Sequence, residues 1–130
     1  MKTNLLILTV FFGTLFLGSC KKDKAAETLV STEVQIRVNN ATGNTIYDCT
    51  VNPDDHSYNF GEISIEANSA YHIFPKAYRY AYLKLTMNNK PYVLQPYDYV
   101  GEKLLTSGKY TYKITYISAS DRLNLELVKD

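Results

Sequence analysis

The stretch "LLTSGKYTYKITYI", residues 104–117, decides the fold. Tyr110, Tyr112, Ile114 and Tyr116 recur at every second position, with Lys109, Thr111, Lys113 and Thr115 between them. That is the period of a half-buried β-strand, whose successive side chains point to opposite faces. The aromatic and aliphatic set is therefore the apolar side, and the Lys/Thr set faces the other way. "SASD" follows as a turn, and "RLNLELV" resumes the alternation as a partner strand.

The same pattern extends upstream. In "EVQIRVN", Val34, Ile36 and Val38 share a face, and "NATGN" supplies a turn. "TIYDCTV" returns as a strand that would place Tyr47, Cys49 and Val51 together, against Ile46, Asp48 and Thr50. "YNFGEISIEA" would group Ile63, Ile65 and Ala67, and "NSAYHIF" adds a short strand stopped by Pro75. No segment keeps a helical period. With twelve Tyr and no Trp, and abundant Val, Ile and Thr, the composition suits pleated sheets. At 45% hydrophobic and 21% charged, the chain is one ordinary domain plus appendages. Residues 25–130 hold 10 Lys and Arg against 12 Asp and Glu, a balance of −2 that argues against nucleic-acid binding.

A second tyrosine-rich stretch, "AYRYAYLKL" (77–85), pairs through the "NNK" turn with "PYVLQPY". A two-residue turn at Asn88-Asn89 sets Leu83 opposite Leu94; one at Asn89-Lys90 sets Leu85 opposite Leu94. Both place Ala81, Leu83, Leu85, Met87, Tyr92 and Leu94 on the dry side. Tyr78, Tyr80, Tyr82, Lys84, Gln95 and Tyr97 then form an outward face, a candidate binding surface, because Tyr offers rigid apolar area with a polar tip. Outward tyrosines can equally be cross-strand pairs that only stabilise the sheet.

Leu104, Gly108 and Tyr110 are spaced as in the tyrosine corner of immunoglobulin-like and fibronectin type III domains, which this stretch resembles. That resemblance implies a Tyr110 hydroxyl bonded to upstream backbone. A closed barrel or a transthyretin-like sandwich would produce similar alternation. The expected fold is an all-β, immunoglobulin-like or fibronectin type III-like antiparallel β-sandwich of about seven strands.

The amino terminus reads differently. Lys2, the apolar "LLILTVFFGTLFL" and then Leu17, Gly18, Ser19 and Cys20 form a secretory signal that resembles the lipobox of bacterial lipoproteins. The resemblance implies cleavage before Cys20 and acylation there, palmitate being one such chain. Expected segments are a signal peptide at 1–19, a lipidated flexible stalk at 20–32 and a sandwich at 33–130. Lys21 after the cysteine suggests delivery to the outer membrane, lipid-anchored, on either side. "QPYDYVGEKLLTSGKYTYK" with this anchor resembles small uncharacterised immunoglobulin-like lipoproteins of gut bacteria, a likeness that implies fold and address but no activity.

Chemical motifs are sparse. Asp48, Asn52, Asp54 and Asp55 surround the "NPDDHS" loop, but the every-second-residue acids of a calcium loop are missing. His56, His72 and Cys49 lack zinc spacing, and Cys49 reads as a small buried hydrophobe. "GEKLLTSGKY" fails as a phosphate loop: six residues separate its glycines, Tyr110 stands where Ser or Thr is needed, and a strand follows. The expectation is therefore no enzyme, metal or cofactor, but a binding module for an envelope or extracellular protein, with glycan binding on the tyrosine face as the alternative.

Overall fold

A computed structural model describes residues 33–97 and 100–130, so the lipobox and Cys20 lie outside the described residues. Eight strands follow in order: β1 (Val34–Ala41), β2 (Ile46–Asn52), β3 (Tyr58–Asn59), β4 (His72–Phe74), β5 (Tyr82–Met87), β6 (Lys90–Leu94), β7 (Gly108–Ile117) and β8 (Arg122–Lys129). They form two four-stranded sheets, β4-β1-β7-β8 and β3-β2-β5-β6. The fold is an all-β sandwich, with eight strands rather than about seven. Two separate ladders exclude the closed barrel.

The pairing is antiparallel except between β1 and β7, which run parallel from Val34↔Gly108 to Ala41↔Thr115. Immunoglobulin domains order their sheets A-B-E-D and C-F-G. Here the first strand lies beside the seventh, so the likeness is one of layers and of the tyrosine corner rather than of strand order. The corner itself is present: the Tyr110 hydroxyl donates to the Thr106 carbonyl at 3.0 Å. Its leucine is not as expected. Leu104 is exposed, while Leu105 packs on the core and donates its N–H to the Ala77 carbonyl.

Side chains from both inner faces fill the interior, among them Val34, Ile36, Val38, Val51, Phe74, Leu83, Leu85, Tyr112 and Ile114. The β5–β6 hairpin takes the Asn88-Asn89 register, Leu83 opposite Leu94, with both asparagines at positive φ (52° and 60°). Those angles belong to the two-residue turn whose twist matches the flanking strands.

Strict alternation fails in β2. Cys49 and Val51 are buried as expected, but Ile46 is buried too and Tyr47 is exposed. The cause is a register shift against β5 between Tyr47 and Thr50, where Asp48 has φ 50°. One extra residue reverses the facing of everything before it. Ile65 departs likewise: it is exposed, because the chain turns at Ile65–Glu66 instead of continuing as a strand.

That turn carries the chain between sheets. Ile63 exchanges both backbone bonds with Ile46 of β2; Glu66 and Ala67 then bond the backbone of Asn40, and Ser69 that of Val38, both in β1. The fully buried Asn40 side chain sits at this crossing. Its amide nitrogen faces the carbonyls of Asn44 (2.8 Å), Ile63 (2.9 Å) and Ser64 (3.1 Å). Its oxygen accepts from the Thr42 N–H and hydroxyl. Asn40→Ala removes these five hydrogen bonds from a fully buried site and leaves the Thr42 N–H without its acceptor, and is expected to cost about 2 to 4 kcal/mol in urea unfolding. Asn40→Asp keeps the acceptor for Thr42 but not the donors, and should cost a comparable amount. Near-native stability of both variants would contradict this role.

Candidate binding site

The expected tyrosine face is not one surface. Tyr82 and Lys84 lie on β5 beside Asn52 and Thr50 of β2, on the outer side of their sheet. Tyr78 and Tyr80 precede the strand, and a bend at Arg79–Tyr80 breaks their alternation with it. Tyr78 is a clamp: its N–H donates to the Pro53 carbonyl at 3.1 Å, and its own carbonyl accepts from the buried Tyr112 hydroxyl. A core tyrosine thus fixes the bend that redirects Tyr80.

Tyr80 instead meets Leu94, Pro96, Tyr97 and Glu102 around a hollow of about 290 Å³, mostly apolar. A second hollow of about 360 Å³ adjoins it through Leu94 and Tyr97, with Tyr92, Val93, Gln95, Asp121, Arg122 and Leu123 completing its wall. Of the six residues expected on the face, Tyr80, Gln95 and Tyr97 are brought together; Tyr78, Tyr82 and Lys84 line neither hollow. Glu102 and Asp121, in loops, and Arg122, the first residue of β8, escape a sequence reading, because no periodicity links them to the end of β6.

Edge contacts determine where the sandwich can open. On one side, β3 and β4 close through aromatics: Tyr58 stacks on His72 with centroids 3.5 Å apart, and Phe60 and Phe74 meet His72 edge-on. On the other, Asp121 clasps β6 to β8. Lys90 donates to it, and the hydroxyls of Tyr92 and Tyr116 each reach it at 2.9 Å. Hydrogen bonding from Lys90 first, then the two tyrosines, lowers the Asp121 carboxyl to about 2, and the Asp121 bond pushes Tyr116 up to about 12. The larger hollow lies beside this clasp, between β6 and the start of β8.

Other polar clusters are occupied with structure. Asp130 meets Thr111 (2.8 Å), Tyr71 and Arg37 (3.6 Å), tying β8 to β7 and β1. His56 lies 2.7 Å from Asp55 and 3.0 Å from Asp54, in the loop after β2. The three groups lie within 4.8 Å of one another, and the Asp54 oxygen also accepts the His56 backbone N–H at 2.7 Å. The buried Cys49 thiol is pushed up to about 12 by desolvation, which removes it as a nucleophile.

The class that fold and site define is an all-β sandwich with two adjoining hollows along β6, one of them beside the Asp121 clasp. Among solved structures, the chain is similar to the NMR structure of a protein from Eubacterium rectale, at 12% identity, covering 75% of this chain and 88% of that one with a TM-score of 0.51. That likeness is one of fold alone. No protein-family model and no curated protein matches the chain.

The two histidines should titrate on opposite sides of the ordinary 6.5. Hydrogen bonding to Asp54 raises His56, while burial lowers His72. Below 6.5 the unfolded chain binds the His72 proton more readily than the folded one, so that site contributes stability that is lost as pH falls through this window. The exposed His56 acts in the reverse sense: its contribution is present below 6.5 and fades as pH rises through its folded value. An NMR pH titration should give midpoints above 6.5 for His56 and below it for His72, and His72→Phe should flatten the acid loss of stability. Coincident midpoints would count against both assignments.

Proposed function

We propose that this chain is an outer-membrane lipoprotein acylated at Cys20, whose sandwich acts as a non-enzymatic binding module for an envelope or extracellular protein. The observation that carries the binding role is the Tyr80–Tyr97 hollow with its apolar floor of Leu94 and Pro96. Exposed aromatics around an apolar depression are the usual anchor of a protein contact, since Tyr buries a large area with few rotors. A catalytic role has less support. Asp121 is the acid lining the larger hollow, but it is already engaged by three donors and is therefore a weak base.

The glycan reading rests on a separate observation. Gln95 and Arg122 line the larger hollow beside Tyr92 and Tyr97, a mixture of planar hydrogen-bonding groups and aromatic faces suited to a sugar ring. Tyr80→Ala combined with Tyr97→Ala should weaken the module's principal interaction by about tenfold or more, equivalent to about 1.4 kcal/mol. Loss in protein pull-down supports the first reading and loss on glycan arrays the second; unchanged binding in both removes the hollow from the account. Independently, Cys20→Ala should abolish acylation and release the protein from the membrane fraction. Continued membrane fractionation of that variant would sink the anchor.

A further inference from the structure

The parallel pairing of β1 and β7 brings the entry of the chain and the candidate hollow to the same end of the sandwich. Glu33 receives the Gly108 N–H, Val34 pairs with both Gly108 and Phe74, and Leu105 bonds Ala77. The 75–81 segment, the end of β6 and the 100–107 loop therefore surround the point where the chain arrives from Cys20. The opposite end, with Ile65, lies one strand length away, about 25 Å for the eight residues of β1.

At the entry end, Tyr97 is fully exposed, Val100 is 85% exposed, Leu104 50% and Tyr80 41%. Tyr97 and Val100 are the two most exposed large hydrophobics among the described residues. Residues 21–32 span at most about 45 Å even when fully extended, and about 20 Å as a random coil. A domain tethered at Cys20 thus keeps this tip within reach of the bilayer. Tyr at the head-group level and aliphatic side chains just below it is the arrangement that membrane interfaces favour.

We propose that the loop from Val100 to Leu104, through those two side chains, rests in the head-group region of the membrane that holds the anchor, so that the adjoining Tyr80–Tyr97 hollow faces a partner at the membrane surface. Lys76 at this end lies 3.8 Å from Asp55 and the Arg79 guanidinium lies over the Tyr80 ring, and the contact proposed is an apolar one. The proposal builds on the lipid-anchor reading, but it is tested with a chemical anchor whose outcome does not depend on natural acylation.

The chain from Cys20 onward contains all of the described sandwich, and its only other thiol, Cys49, is buried and unreactive. Cys20 can therefore be coupled to a maleimide phospholipid in phosphatidylethanolamine/phosphatidylglycerol vesicles with or without brominated acyl chains. The protein has no Trp, so single Trp probes report cleanly. Leu104→Trp should show a blue shift and bromine quenching, while Ile65→Trp at the far end should show neither. Both positions are exposed, and an unchanged urea midpoint verifies the fold of each variant. An unquenched Leu104→Trp, or equal quenching at both positions, overturns the proposal. A tip that is unquenched but covered by protein in pull-down assigns it to the partner instead.

Discussion

The buried carboxamide of Asn40 is the constraint on which the two sheets depend. Segment 60–69 pairs first with β2 and then with β1, turning at the exposed Ile65–Glu66, so the carbonyls of Ile63 and Ser64 are left facing the buried Asn40 amide between the two sheets. Carbonyls in such a place must find donors or the crossing is unaffordable. Asn40 gives the Ile63 and Ser64 carbonyls a second donor beside the N–H groups of Ile46 and Ala67, and it accepts from Thr42 on its other side. One residue therefore joins the β1–β2 turn to the crossing strand and fixes how one sheet lies over the other.

Much of this architecture follows from period-two alternation, and its failures have local causes. Tyr110, Tyr112 and Ile114 are buried because a long, regular β7 has no bulge to reverse its faces. The same rule misplaced Tyr47, because Asp48 adopts a left-handed conformation that the letters "YDC" do not announce. Ile65 was misread since a sheet-to-sheet crossing leaves no period of its own. The hairpin at Asn88-Asn89 was narrowed to two registers, and the positive φ angles of both asparagines selected between them.

The candidate site was only half legible for a related reason. Alternation could place Leu83 and Leu85 inward, but it assumed that Tyr78 and Tyr80 continued the strand beginning at Tyr82. The Tyr112 hydroxyl holds the Tyr78 carbonyl and fixes a bend there instead. That contact joins residues 34 positions apart, beyond the reach of any local pattern. The outcome is a hollow assembled from three loop ends rather than a flat aromatic sheet face.

The structural polar networks and the candidate hollow are thus separated within one small domain. The far end is committed to Asn40 and the crossing, one edge to the aromatic stack on His72, the other to the Asp121 clasp, and the lone thiol is desolvated. Groups with saturated hydrogen bonds resist further chemistry, because a ligand would have to displace partners already in place. The entry-end rim of Tyr80, Gln95, Tyr97 and Leu104 lies outside these networks. Loops on a rigid sandwich carry recognition at little cost to the core. The parallel β1–β7 pair sets this rim beside the point where the chain enters the sandwich at Glu33–Val34.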